Sequence, residues 1–280
     1  MEATAMTRPF RAAALAFDAI APAFDERFGA WASVAAQRRA VRAALLKALP
    51  LGGRVLELGG GTGEDAEFLA SRGYDILLTD PSPSMVALAQ SKLAPFYGQA
   101  EVAAAEEMES FATRYFSAGG EQFDGAFSNF APLNCVVDLD QVARGLARLL
   151  KPGASALLVL FGTFCPGEIA TELLRGRPTQ ALRRRKRGPI SARLAGNEFN
   201  IVYHRRAAVQ WAFEPWFVLK ERIGIGIAVP PSAAEPWISA HPRLLNVMEN
   251  LDRTLARPFA ALGDHVLYHF RRNTAPSTIE

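Results

Sequence analysis

The sequence predicts a doubly wound α/β fold, and three observations predict it. Between residues 54 and 161, short apolar runs alternate with amphipathic stretches of about ten residues, the rhythm of a parallel sheet with helices between its strands. One apolar run, Arg54-Val55-Leu56, passes through Glu57 into glycines at 59, 61 and 63 and then into a helical pattern from Asp65. A second run, Ile76-Leu77-Leu78, ends in Asp80, 21 residues after Gly59.

The elements follow in order. The first 50 residues read as helices; Trp31 to Leu49 is Ala-rich, with Val34, Val41, Leu45 and Leu49 as its apolar positions, and Pro50-Leu51-Gly52-Gly53 ends it. Then come strand 54–58, helix 64–71, strand 75–79, helix 83–93, a short strand near 100–104, strand 123–128, helix 139–150 and strand 154–161. Later strands are expected at Trp216 to Ile225 and His265 to Arg271. Two insertions interrupt the rhythm. Phe164 to Arg205 holds a basic run and a short strand, Phe199 to His204. Ala228 to Leu262 holds Pro230-Pro231, Pro236 and a helix with Leu244, Met248, Leu251 and Leu255 on one face. The expected organisation is a helical cap over 1–50 and one domain over 51–280, with substrate lids at about 164–205 and 228–262.

Composition narrows the class. At 280 residues, half of them hydrophobic, the chain holds one large core. Cys135 and Cys165 make no disulfide framework and have no metal-spaced partner, so both read as buried small hydrophobes in a reducing compartment. No metal is expected. There is no run of 18 apolar residues for a membrane span and no leader-like core in Met1 to Phe10, so a cytoplasmic location is expected. The net charge of +3 does not suit a general nucleic-acid binder. The charge is uneven, however: Arg175, Arg177, Arg183, Arg184, Arg185, Lys186 and Arg187 fall within 13 residues with no acid among them. Such a run is most simply a solvated face; an anionic substrate, a lipid head group in peripheral contact, or RNA are the other readings.

The Gly-rich turn carries the chemistry. Glycines let the backbone take positive φ and let a ligand press on the main chain. The helix after the turn offers free N–H groups. An acid at the end of the next strand grips two ribose hydroxyls. Glu64 stands where the dinucleotide fingerprint G-x-G-x-x-G needs glycine, and its charge repels a pyrophosphate. The expected ligand carries ribose and base but no phosphate at this turn.

Glu57-Leu58-Gly59-Gly60-Gly61-Thr62-Gly63 resembles the E/D-x-G-x-G-x-G motif of class I S-adenosylmethionine (SAM)-dependent methyltransferases, and Asp80 resembles their ribose-binding acid. Gln122 to Phe130 is similar to the family's fourth motif. Leu146-Ala147-Arg148-Leu149-Leu150-Lys151-Pro152-Gly153 is similar to the helix and turn before its fifth strand. Phe17-Asp18-Ala19-Ile20-Ala21-Pro22-Ala23-Phe24-Asp25 resembles the N-terminal Y-D-x-x-A-x-x-Y-D of the type 11 subgroup, which includes ubiquinone and menaquinone biosynthesis enzymes. The matches cover roughly residues 17–161 in the expected order. The resemblance implies a Rossmann-like sheet of seven strands with the last antiparallel.

It also implies roles. Gly59, Gly60, Gly61 and Gly63 lie under the methionine and ribose of SAM, or of its product S-adenosylhomocysteine. Glu57 orients the loop and the cofactor's amino group. Met85 packs on adenine, the main chain of Asn129 meets the amino group beside Phe130, and Phe24 closes the pocket. Arg38 or Arg39 is a candidate for the cofactor carboxylate, with a surface-helix role the simpler reading. The chain departs from the subgroup at Ala104, where an Asp usually holds the adenine amino group; either Glu106 takes over or main-chain groups do.

The acceptor side is less specific. Tyr203, His204, His241 and His265 are candidates; His204, in the lid, is the preferred general base, and strand periodicity puts it opposite Tyr203, the other catalytic candidate. Trp211, Phe213, Trp216, Phe217 and Trp237 line an apolar pocket or pack the core. The expected reaction is methyl transfer to oxygen or activated carbon of a bulky, largely apolar small molecule. RNA or DNA methylation is the alternative, disfavoured because Ser128-Asn129-Phe130-Ala131-Pro132 lacks the Asn/Asp-Pro-Pro-aromatic pattern used on exocyclic amines.

Overall fold

Strand order in the central sheet decides the architecture. A computed structural model describes residues 9–274. Its main sheet has seven strands: β1 (Arg54–Leu58), β2 (Asp75–Asp80), β3 (Gly98–Val102), β4 (Phe123–Ser128), β5 (Leu150–Phe161), β8 (Phe217–Ile225) and β9 (His265–Arg272). The order is β3-β2-β1-β4-β5-β9-β8. β1 to β5 pair in parallel, and β9 is antiparallel to both β5 and β8. This is the Rossmann-like sheet expected, with the chain reversing direction between β1 and β4. Ligands of such sheets bind outside the strand ends at that switch.

Both faces are covered, and the two-residue strand period sorts side chains between them. Leu56, Leu58, Leu158, Leu160, Val266 and Phe270 face α6 (Met108–Ser117), α7 (Leu139–Leu149) and α10 (Arg206–Phe213). Val55, Leu157, Val159 and Leu267 face α3 (Ala32–Ala48), α4 (Glu64–Ala70) and α5 (Pro83–Leu93). α7 shows why a helix forms here. Leu139, Val142, Ala143, Leu146 and Leu149 make one buried stripe, and the Asp138 side chain caps the start by accepting from the Asp140 N–H at 2.9 Å. Each of those leucines contributes roughly 1.5–3 kcal/mol by burial.

The additions lie around this frame. α1 (Pro9–Asp18) and α2 (Ala21–Gly29) precede α3. The first insertion holds α8 (Pro166–Leu174), α9 (Pro178–Ala181) and a hairpin of β6 (Pro189–Leu194) and β7 (Asn197–Val202). The sequence reading found β7 but not its partner, although Ile190, Ala192 and Leu194 alternate with exposed residues in Pro189–Leu194; the run is short and sits directly after the basic segment. The hairpin packs on α1 through Phe199 against Ala13 and Ala16. The second insertion ends in α11 (Pro242–Leu255), and Val229, Ile238 and Leu245 join Ala36 of α3 in a small separate cluster. No helix among the described residues is long and apolar enough to cross a membrane.

Candidate active site

The crevice at the ends of β1, β2 and β4 is held open by backbone geometry. Gly59 has φ of +63°, and a Cβ there would lie 2.4 Å from Pro132 Cβ, so no other residue fits the turn. Its N–H donates to the Thr79 carbonyl at 2.7 Å, joining the loop to β2. Gly61, at φ +57°, is different: an added Cβ would meet nothing within 4 Å, so this part of the loop borders open space. Its N–H donates to Asp80 Oδ2 at 3.0 Å, and the Ser82 N–H donates to Oδ1 at 2.9 Å. Burial raises the Asp80 pKa to about 6 against those two hydrogen bonds. Glu57 is fully enclosed. Its Oε2 has no hydrogen-bond partner among the described residues. Burial, then the nearby Asp65 charge, holds its carboxyl well above the usual range, with Arg38 opposing.

The N-terminal helices brace both rims. Asp18 Oδ1 accepts from Ser82 Oγ at 2.7 Å and from the Ser84 N–H at 2.8 Å, fixing the start of α5. Asp25 accepts from Thr62 Oγ1 at 2.6 Å and from Lys92 Nζ at 2.7 Å, fixing the glycine loop. Sequence reasoning quoted both aspartates inside the N-terminal motif but assigned them nothing; their seven-residue spacing across two helices was the available signal. Met85 and Phe24 meet in one apolar cluster with Ile20 and Ala21. Glu106 is partly buried, and its charge and that of Asp80 both reach Cys135, whose thiol burial pushes to about 12. Asn129 donates from Nδ2 to Asp65 at 2.8 Å, and Phe130 follows at φ +54°. Arg38 also pairs with Asp65, at 3.2 Å, and lies 4.8 Å above the Phe130 ring. Arg39 turns outward to Glu249.

A packed aromatic cluster begins at Phe130. Its ring meets His265 edge-on at 5.8 Å, and His265 stacks on Phe161 at 4.8 Å. Tyr203 lies 5.8 Å from Phe161, and the Arg184 guanidinium sits over both Phe161 and Tyr203. Arg184 is buried. It binds Glu168 and also Asp264, whose Oδ1 it reaches at 2.6 Å. Arg183 pairs with Glu168 at 3.0 Å. The basic run is therefore not a solvated face throughout, as the sequence suggested: two of its arginines are turned inward by Glu168 and Asp264, acids that lie outside the run. Arg185, Lys186 and Arg187 are exposed.

Residues 55–153 match the family model described as a methyltransferase domain. The chain carries a methyltransferase domain over this stretch. No curated protein matches the chain. Among solved structures, the CcbJ methyltransferase from Streptomyces caelestis is similar at 16% identity and a TM-score of 0.57, over 92% of this chain and 98% of that one. The DhpI complex with S-adenosylhomocysteine is similar at 16% identity and 0.56, over 95% and 98%. A structure described by the conversion of a disulfide bond into a thioacetal group during echinomycin biosynthesis matches at 20% and 0.52, over 85% and 84%. At these identities the likeness shows the shared fold.

The methyltransferase crevice fits the cofactor on its own chemistry. Glu57 Oε2 is a buried acceptor that lacks a donor, suited to an amino group. Asp80 is a buried carboxylate at the ribose offset, and Gly61 borders the space a ligand would fill. The methyltransferase's acceptor side corrects one sequence expectation. Tyr203 and His204 are consecutive in an extended segment, so they point to opposite sides. Tyr203 faces Phe161 and Arg184. His204 turns to the Val136 carbonyl, 2.9 Å from Nε2, and lines an outer recess of about 430 Å³ with Trp211 and Pro215. Burial lowers its pKa, with the Val136 and Leu133 carbonyls opposing. With Nε2 engaged by the Val136 carbonyl and the ring at the outer recess, away from the cluster of Phe161 and Tyr203, His204 is poorly placed as the base. The aromatic group also divides: Phe213 and Phe217 are core, while Trp211 is 80% exposed.

Proposed function

We propose that the protein transfers the methyl group of SAM to an oxygen or activated carbon of a bulky, largely apolar small molecule of quinone, polyketide or lipid type. The observation that carries this reading is the shared wall at Phe130. This residue closes the turn after β4 beside the crevice and also begins the aromatic chamber of Phe161, Tyr203 and His265. We take this packed aromatic cluster as one wall of the acceptor chamber: a flat apolar acceptor stacks against such a wall, which keeps water from the reacting atoms.

Bound SAM supplies a methyl group on a sulfonium that leaves as a neutral thioether. This chain's residues do the rest by position. Glu57 takes the amino group and Asp80 the ribose hydroxyls. Gly59, Gly60, Gly61 and Gly63 lie beneath, Met85, Phe24 and Glu106 stand on the adenine side, and Asn129 and Phe130 border the methionine end. Tyr203 orients the acceptor from the chamber wall. The exposed Leu174, beside Arg175 and Arg177, is the place for peripheral contact with an anionic surface. Nucleic acid is disfavoured because Arg183 and Arg184 are occupied internally.

The test is transfer of labelled methyl from SAM to a panel holding a prenylated hydroquinone, a polyketide phenol and bulk RNA. Product on the hydroquinone or phenol is expected. Label on RNA alone would overturn the reading.

A further inference from the structure

We infer that His265, held by Asp264, is the group that takes the acceptor's proton during methyl transfer, an inference that rests on the acceptor lying in the aromatic chamber. His265 opens β9, beside Phe161 at the end of β5, so it stands at the same edge of the sheet as the crevice. Phe161 stacks on one side of its ring and Phe130 meets it edge-on, which leaves the imidazole no freedom to swing. Its Nδ1 is buried without a hydrogen bond, 3.4 Å from Asp264 Oδ2. A buried nitrogen with no other partner completes a bond to that carboxylate by a small shift, and the proton then resides on Nδ1. Nε2 keeps the lone pair.

The carboxylate is itself fixed from several directions. Gln37 of α3 donates to Asp264 Oδ2 at 3.1 Å, and Arg184 of the first insertion binds Oδ1 at 2.6 Å. The charged groups facing His265 are Asp264, Arg184 and Glu168. Burial lowers the histidine pKa while Asp264 opposes, which keeps the ring neutral and able to accept at neutral pH. In the proposed step the acceptor's X–H bond breaks as X bonds to the methyl carbon. The proton moves to Nε2, the imidazolium is stabilised by Asp264, and the proton later leaves to water. Asp264 is a positioning residue; it is not placed to touch the acceptor. Arg184 ties this dyad to the lid, so the insertion that covers the chamber also sets the base.

The experiment has two independent parts. Long-range ¹H–¹⁵N NMR on the full chain saturated with S-adenosylhomocysteine reads the tautomer, with the His265 signal assigned by its loss in His265→Asn. A neutral ring with its proton on Nδ1 is expected; a proton on Nε2 in the wild-type protein would overturn the inference whatever the acceptor is. In the second part, prenylated phenols of graded acidity are methylated by wild type and by His265→Asn. Turnover in the variant should fall by about 100-fold for weakly acidic phenols, with S-adenosylhomocysteine affinity unchanged within about 2-fold. The loss should shrink for phenols already ionised, which a structural defect would not produce. A loss independent of acidity, or none, overturns the inference. If wild type methylates none of these phenols, the proposed acceptor class fails, and the tautomer still decides His265.

Discussion

The proposed cofactor crevice and the proposed acceptor chamber meet at Phe130 but are built by different means. The crevice is made of backbone: a glycine loop and the ends of β1, β2 and β4, with Glu57 and Asp80 carried on the first two strands. Glu57, the glycine loop and Asp80 are close along the chain, on the first two strands, and Asp80 is tied to the loop it serves by the Gly61 N–H. The chamber is made of side chains from β4, β5, the first insertion and β9, residues that span positions 130 to 265. It is fixed by a buried ion cluster, Glu168–Arg184–Asp264, and not by regular structure. Backbone geometry resists substitution locally. A charge cluster depends on every member, so the chamber is where single changes do most damage.

The largest effect is therefore expected at Arg184. Its removal leaves the buried Asp264 without its arginine and Glu168 with only the half-exposed Arg183. Arg184→Gln should cost about 3–5 kcal/mol of stability in urea unfolding, because an uncompensated buried charge is expensive. Arg183, whose side chain is 43% exposed, pairs with the same Glu168. Arg183→Gln should cost less than about 1 kcal/mol. Equal losses in the two variants would show that the cluster is not what holds the lid.

Asp80→Ala probes the other region. It should leave the fold standing and weaken S-adenosylhomocysteine binding by roughly 10- to 1000-fold in calorimetry, through lost charge-assisted hydrogen bonds partly replaced by water. An affinity within about 2-fold of wild type would remove Asp80 from the site.

Acidity sharpens the same point. Asp80 has a folded pKa raised from 3.8 to about 6, so between those values the folded protein retains a proton that the unfolded chain has lost. Stability from this group thus falls as pH rises through that window, by about 3 kcal/mol in all at 1.36 kcal/mol per unit. Ribose hydroxyls favour the ionised form. Binding of S-adenosylhomocysteine should therefore strengthen by about ten-fold from pH 5 to pH 7 and release a proton on the acid side. Asp80→Asn should remove that share of the dependence, and a flat profile in the wild type would contradict the assignment.

The two regions were unequally legible in the sequence for the same physical reason. Glu57, the glycines and Asp80 declare themselves because a tight turn and a ribose acid need particular residues at particular offsets. The strands were visible as apolar runs, and α7 as a stripe of period 3.6. His265 was visible as a residue at the start of a strand, but its partners were not. Asp264 looks like a turn residue, and Arg184 looks like one cation among seven. Nothing local says that Glu168, 16 residues earlier, draws Arg184 inward. His204 looked better placed than His265 because a lid histidine is an obvious base; the Val136 carbonyl and the outer recess turn it away, and neither is visible in the sequence. Asp18 and Asp25 were hidden in the same way, since their partners Ser82 and Thr62 lie 64 and 37 residues along the chain.

The smallest expected effect separates the two halves of the basic run. Arg185, Lys186 and Arg187 follow Arg184 directly, yet all three are exposed, and none has an acidic partner among the described residues. Solvated charges of this kind contribute little to a fold, since water and salt screen them. Replacing all three by Gln should change stability by less than about 0.5 kcal/mol and leave S-adenosylhomocysteine affinity intact. What the change does remove is three positive charges beside an apolar tip that includes Leu174 and Leu182. If that tip touches an anionic surface, cosedimentation with vesicles rich in phosphatidylglycerol should fall, since each cation near such a surface contributes about 1 kcal/mol. Binding to RNA with a steep dependence on salt, lost in the same variant, would instead place nucleic acid at this tip. A measurable loss of stability would mean that the division between Arg184 and its neighbours is wrong, and that the run acts as one structural unit.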